Sequence, residues 1–234
     1  KFFRISSPDQ WEASMKAYAA QVAFRKSNAF ESDWPAVAAW LRRGEIEARE
    51  LHCAPYDHGK FKEALHTIRG LTANTPDVFH PKMVELSSEA GVAVVLIPEL
   101  PGIRISAATR WLSPQKAMIQ LSLLYKRNDQ FWFSFFHEAG HILLHGKRDI
   151  FIHNQEDSED VKEKEANSFA ANFLIPPPFY RAMLKDGTPS KEKVLRSALE
   201  LGIAPGIIVG RLQGEQVLKW NFYNDLKVSL EWAQ

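Results

Sequence analysis

The apolar positions of this chain change period along its length, and the changes divide it into three regions. Residues 1–82 are helical throughout. Pro8 to Lys26 carries alanines and aromatics at helical spacing, and Trp34-Pro35 opens a second helix with Val37, Trp40 and Leu41 on one stripe and a stop near Gly44. Phe61, Leu65 and Ile68 form the face of a third, over Lys60–Ile68, before Gly70. Trp34 and Trp40 fit helix-packing core. Strands enter in residues 83–186. A short helix from Met83 to Ala90 meets Gly91, and Val92–Pro98 is a β-branched run of the buried-strand kind. Beyond the turn at Pro101-Gly102, Ile103–Leu112 and Lys116–Tyr125 follow as two more strands about Ser113-Pro114-Gln115. The second sets Ala117, Ile119, Leu121 and Leu123 on one face, as a strand lying on a helix layer does. Connections this short predict antiparallel pairing, because a parallel crossover needs about a dozen residues or more.

The helical period then returns. Asn128 is placed as N-cap of a helix running to His145, with Gly146 as its stop. The acidic group Glu156, Asp157, Glu159 and Asp160 fits a solvated loop leading into a helix over Ser158–Leu174, which ends at Ile175-Pro176-Pro177-Pro178. In residues 187–234, helices over Ser190–Leu201 and Pro205–Leu212 flank Leu201-Gly202-Ile203. That turn has a faint likeness to a DNA-binding helix-turn-helix. The second helix carries Ile207, Ile208 and Val209 with Arg211 as its one basic group, which fits packing instead. The predicted class is α+β: a helical region over 1–82, a domain with a small antiparallel sheet over 83–186, and a helical region over 187–234.

Bulk properties narrow the setting. At 234 residues and 45% apolar content, the chain supports one core plus a helical appendage, and a net charge of +1 lacks the bulk basic footprint of a nucleic-acid binder. Cys53 is the one cysteine, so no intrachain disulfide is available and a reducing, cytoplasmic setting is expected, with Cys53 as a small buried hydrophobe. No apolar run approaches the ~20 residues of a membrane span. The start, Lys1-Phe2-Phe3-Arg4, lacks both an initiator methionine and the pattern of a secretory signal, so a fragment of a longer protein is expected.

Chemistry concentrates in His137-Glu138-Ala139-Gly140-His141. On a helix, residues i and i+4 share a face, so His137 and His141 can hold one zinc ion while Glu138 reaches water at that ion. A catalytic zinc takes three protein ligands and leaves one position open. The third is expected on the next helix, whose apolar stripe is Ala166, Phe169, Ala170, Phe173 and Leu174. Glu163 lies on the edge of that stripe and Glu165 points away from it, so Glu163 is the expected ligand. Asn167, four residues on, is placed to hydrogen-bond a ligand. Gly140 inside a helix costs about 1 kcal/mol relative to alanine, which close backbone approach beside the metal would justify. His145 shares the histidine face, but at roughly 12 Å along the axis from His137 it is out of reach of the same ion, which leaves a core or capping role. His58, His66 and His80 lack ligand spacing. Ile103–Trp111, with small Ser106, Ala107 and Ala108, is the candidate edge strand for an extended substrate. Tyr180 and His153 are the candidate oxyanion stabilisers.

The runs Phe136-His137-Glu138-Ala139-Gly140-His141-Ile142-Leu143-Leu144-His145 and Glu163-x-Glu165-Ala166-Asn167-x-Phe169-Ala170, continuing to Leu174-Ile175-Pro176, resemble the ImmA/IrrE-type metallopeptidase domain. Weaker similarity through Trp40-Leu41-Arg42-Arg43-Gly44-Glu45 and Leu201-Gly202-Ile203-Ala204-Pro205-Gly206 extends to bacterial regulators that place a helix-turn-helix domain ahead of the peptidase. The resemblance implies a zincin-like fold, Zn2+ on His137, His141 and the acidic helix, and Glu138 as catalytic base. It also implies a transcriptional repressor as protein substrate. The family motif contains both glutamates, so the choice of Glu163 rests on the helical-face argument. A DNA-binding domain is not within the sequence, and contact with nucleic acid would come through a preceding domain or a partner. The expected function is a regulatory zinc endopeptidase; the alternative is a sensor or protein-binding module that keeps the fold with little turnover.

Overall fold

The structure is a computed structural model and describes residues 34–146, 151–153 and 161–232, of which 151–153 are described by their backbone alone. The helix expected over Pro8–Lys26 and the acidic group at 156–160 lie outside the described residues, as does the side chain of Trp34. The described elements run α1 (Trp34–Glu50), α2 (His58–Gly70), α3 (Pro76–Glu89), β1 (Val92–Leu96), β2 (Ala107–Ser113), β3 (Lys116–Leu121), α4 (Asn128–Leu144), β4 (Phe151–His153), α5 (Val161–Leu174), α6 (Pro177–Leu184), α7 (Lys191–Leu201) and α8 (Pro205–Gly214). The class is α+β, as the pattern predicts. None of the described helices is long and apolar enough to cross a membrane.

The sheet has the order β1-β3-β2-β4 and is mixed, which corrects the antiparallel expectation. β2 and β3 form an antiparallel hairpin, but β1 pairs parallel with β3, Val92 opposite Ala117 through Leu96 opposite Leu121. The physical reason is the length of chain between the paired strands. Residues 97–115 separate β1 from β3, which is enough for a parallel crossover, and the hairpin places β3 rather than β2 beside β1. β2 also begins later than its apolar run suggests. Ser122 donates from its backbone amide to the Ser106 carbonyl and from its hydroxyl to the Ile105 carbonyl, holding this approach outside the ladder.

Both faces of the sheet are buried. Val92, Val94, Ala107, Ala117, Ile119 and Leu121 face a core shared with α2 to α8 and Leu123. Ala93, Val95, Ala108 and Met118 face a smaller core closed by Val37, Trp40 and Leu41 of α1, with Cys53 packed half-buried at its margin. The larger core draws residues from Phe61 to Leu230, so all three regions of the chain contribute to it.

α1 runs through Gly44 rather than stopping there. A Cβ at Gly44 would overlap the side-chain amide of Gln120, so the glycine admits a strand side chain against the helix. Gln120 Nε2 donates to the Trp40 carbonyl at 2.8 Å, and Trp40 Nε1 donates to the Ile97 carbonyl at 3.1 Å. α3 starts well before Met83, with Pro76 at its first turn. The proline run after α5 ends one helix and begins another, since Pro177 and Pro178 occupy the first turn of α6, where no amide hydrogen is required. The turn between α7 and α8 is a packing joint: Gly202 adopts φ 65°, and Ile207, Ile208 and Val209 are all buried.

α1 is fastened to the sheet by charge as well. Glu45 accepts from Arg42 at 2.8 Å and Arg49 at 2.9 Å, and lies 3.4 Å from Arg110 of β2. Burial alone raises the Glu45 carboxyl, but the three guanidinium groups outweigh it and hold the pKa below 4.5. A lowered folded-state pKa contributes stability that is present above the unfolded value and is lost as pH falls through the folded one. Glu45→Gln is therefore expected to cost about 3 kcal/mol in urea unfolding at neutral pH. The difference from wild type should narrow as pH drops below 4.5; a constant difference across that range would contradict the assignment.

Candidate metal centre

α4 is apolar on nearly every side, as a helix through the middle of a core must be. Phe131, Trp132, Phe135, Phe136, Ala139 and Ile142 are buried around it. Its first turn is pinned by the C-terminal segment. Asn128 exchanges hydrogen bonds with the backbone of Val228, and Asp129 pairs with Lys227 at 2.6 Å. Asn128 is thus the first helical residue and clamps the tail, where the sequence suggested an N-cap.

Within this apolar environment His137, Glu138 and His141 are buried at 0%, 0% and 1% exposure. Unpaired polar groups there carry a heavy desolvation cost. α5 supplies partners for the two histidines. Ala166, Ala170 and Leu174 are buried on α5, and a Cβ on Gly140 would come 3.3 Å from the Ala166 Cα and 3.0 Å from the Phe169 ring. Gly140 is therefore a contact point between helix backbones, as its cost within a helix predicts. The far end of α5 is capped by two arginines. Arg69 donates to the Leu174 carbonyl at 2.9 Å, and Arg211 donates to the carbonyls of Ala171 and Ile175 at 2.7 and 2.8 Å.

The close approach carries Glu163 to the histidines. Glu163 Oε2 lies 3.2 Å from His137 Nε2, Oε1 lies 3.3 Å from His141 Nε2, and the two Nε2 atoms are 3.0 Å apart. His137, His141 and Glu163 are the group that could hold a metal ion among the described residues. Glu165 points elsewhere, to His145 Nε2 at 3.0 Å, and is exposed. Asn167 Oδ1 lies 2.8 Å from His137 Nδ1. An amide oxygen only accepts, so His137 carries a proton on Nδ1, which makes Nε2 the atom it offers toward Glu163 and His141. Burial pushes the His141 imidazole down to about 4, against the raising effect of Glu163, which keeps it neutral at pH 7. Burial also raises Glu163, but its contacts with His137 and His141 prevail and hold it well below the usual carboxylate range. The pocket thus brings two imidazole nitrogens and a carboxylate to within 3.0–3.3 Å of one another. Zinc–nitrogen bonds of about 2.0–2.1 Å place tetrahedral neighbours about 3.3 Å apart, so the spacing and donor set fit a zinc-type divalent ion.

Glu138 sits beside this set with both carboxylate oxygens buried and lacking a hydrogen-bond partner in full geometry. Burial raises its pKa well above the carboxylate norm, the Thr109 hydroxyl beside it opposes the rise, and the Glu163 charge adds to it. A buried carboxyl with a raised pKa next to a cation site is suited to accepting and releasing a proton.

Other expectations change. β2 is not an edge: Ala107, Ala108 and Thr109 pair antiparallel with His153, Ile152 and Phe151 of β4. The apolar, small-residue character of β2 reflects a strand covered on both sides. Tyr180 lies under the Arg211 guanidinium, 3.9 Å from its ring centroid. That places it at the capped end of α5, roughly 18 Å along the helix from Glu163, away from the metal set. The side chain of His153 lies outside the described residues. His66 packs on the Phe173 ring, in keeping with a packing role. His145 stays out of the ligand group but is not a simple cap: its Nδ1 lies 2.9 Å from His141 Nδ1. From sequence, His145 has a core or capping role and Thr109 is not singled out. The i+4 spacing from His141 places His145 on the histidine face, and nothing local in the sequence marks Thr109.

Residues 102–212 match the Peptidase M78 family, described as the IrrE N-terminal-like domain, over just under half of the chain. The chain therefore carries an ImmA/IrrE-type, metallopeptidase-like domain, and His137, Glu138, His141, Glu163 and Asn167 all fall within it. No curated protein matches the chain.

Two substitutions check the geometry. Gly140→Val should destabilise the fold by roughly 2 kcal/mol and weaken divalent-ion binding by spreading α4 from α5; unchanged affinity in a chelator competition would rule that spacing out as the determinant. Glu163→Ala should abolish equimolar metal retention and Glu165→Ala should not, read by elemental analysis of the purified variants.

Proposed function

We propose that this IrrE N-terminal-like domain of the Peptidase M78 family is a zinc-dependent endopeptidase with a regulatory role, cutting a protein substrate such as a helix-turn-helix transcriptional repressor. The observation that carries the reading is the pairing of a His137, His141 and Glu163 donor set with a buried, raised-pKa Glu138 immediately beside it. His137, His141 and Glu163 would hold the ion, and when bound it supplies Lewis acidity toward a water molecule and the scissile carbonyl. Glu138 accepts the proton that water loses as its oxygen joins the carbonyl carbon. The carbon–nitrogen bond then breaks, and Glu138 returns the proton to the departing amine. Asn167 holds the His137 ring so that its Nε2 faces the site.

An extended peptide adds to a sheet through backbone hydrogen bonds at a terminal strand. β4 occupies the end of the described sheet and packs beside α4, so it takes the role first assigned to Ile103–Trp111.

The near-complete burial of His137, Glu138 and His141 favours a second reading, a sensor or protein-binding module with little turnover. One experiment separates the two. Purified wild type and Glu138→Gln are loaded with zinc and incubated with candidate repressors, with and without chelator, and fragments are read by mass spectrometry. The enzyme reading expects cleavage that chelator stops and that Glu138→Gln lowers by roughly 100- to 10,000-fold while metal content stays equimolar. Biological output that survives Glu138→Gln would favour the module.

A further inference from the structure

We propose that His145 and Glu165 form a hydrogen-bonded chain that fixes the tautomer and ring orientation of His141, with His145 acting as a positioning residue for the metal site. The inference rests on the metal-site reading given above. His137 and His141 present the same atom to the site, yet they are held by unlike partners. His137 Nδ1 meets a side-chain amide of α5 at 2.8 Å. His141 Nδ1 meets a third imidazole, His145 Nδ1, at 2.9 Å, and the far nitrogen of that ring meets Glu165 Oε2 at 3.0 Å.

The direction of each bond follows from one end. A carboxylate only accepts, so His145 donates from Nε2 to Glu165. Where His145 is the neutral ring it has a lone pair at Nδ1, and the proton between the two rings then belongs to His141, as an ion on His141 Nε2 requires. His141 then donates at Nδ1 and presents an Nε2 lone pair to Glu163 and His137, as a metal ligand requires. Reversing either bond would leave His141 Nε2 protonated and unable to bind an ion. The chain joins α4 to α5 a second time: His145 directly follows α4, and Glu165 lies two residues beyond Glu163.

Exposure sets the order of importance. The His145 side chain is 3% exposed and Glu165 is 55% exposed, so solvent can replace the carboxylate more readily than it can replace the ring. Loss of such an outer partner typically weakens metal binding by 10- to 100-fold. His145→Ala is expected to reach that range, and Glu165→Ala to fall short of it.

The test measures zinc affinity by chelator competition in the full 234-residue chain. His145→Asn can place its Oδ1 where the ring Nδ1 accepts, without reaching Glu165. It should recover much of the affinity that His145→Ala loses. Glu165→Ala should weaken binding in the wild-type background and have no effect beside His145→Asn. Long-range proton–nitrogen spectra of the zinc-loaded wild type should show His145 as the neutral Nε2–H tautomer. Equal affinities for wild type, His145→Ala and His145→Asn would overturn the proposal, as would an Nδ1–H tautomer at His145. So would a Glu165→Ala effect undiminished beside His145→Asn. Wild type that fails to take up one zinc per chain would sink the metal-site reading itself, which keeps the two failures apart.

Discussion

Gly140 of α4 packs against the backbone of Ala166 and the ring of Phe169 on α5, and the spacing this sets determines where three charged or basic groups can go. Glu163 lies almost one turn before Ala166, so the distance between the helices becomes the distance between carboxylate and imidazoles. Packing around the contact holds that distance. The sheet presses on α4 from one side, the C-terminal segment ties its first turn through Asn128 and Asp129, and Arg69 and Arg211 cap the far end of α5. Most of the fold described above therefore bears on the orientation of a few atoms.

The electrostatics give the same picture from the opposite direction. A protein interior rejects ionised or unpartnered polar groups, yet His137, Glu138, His141 and Glu163 are gathered within it. Asn167 accepts the Nδ1 proton of His137, which directs its Nε2 inward beside that of His141 and the Glu163 carboxylate. Such an arrangement is unfavourable without a cation and favourable with one. Glu138 lies one step outside the donor set, where burial raises its pKa instead of pairing it. The candidate ligand and the candidate proton acceptor are thus distinguished by their partners more than by their chemistry, since Glu138 and Glu163 are the same residue type with opposite shifts.

The parts legible in the sequence were those set by a single element's period. The face of α5 separated Glu163 from Glu165, and the cost of a helical glycine pointed to close approach at Gly140. The alternation of β3 gave its buried face. What depended on two elements was harder to read. Gly44 looked like a helix stop because its reason is the Gln120 side chain on a strand far along the chain. The parallel pairing of β1 with β3 was hidden because pairing partners are set by tertiary packing rather than by the nearest turn. His145 was correctly kept from the ligand group by the helical rise, but the chain ends its helix there, and that exit swings the ring between His141 and Glu165.

The central claim is that one divalent ion binds where His137, His141 and Glu163 converge. Anomalous diffraction at the zinc edge, on crystals grown with equimolar zinc, tests it directly. The account expects one strong peak at about 2.0–2.2 Å from His137 Nε2, His141 Nε2 and a Glu163 oxygen. A peak bound by Glu165 or His145 instead, or zinc-loaded crystals with no peak between those three residues, would contradict it.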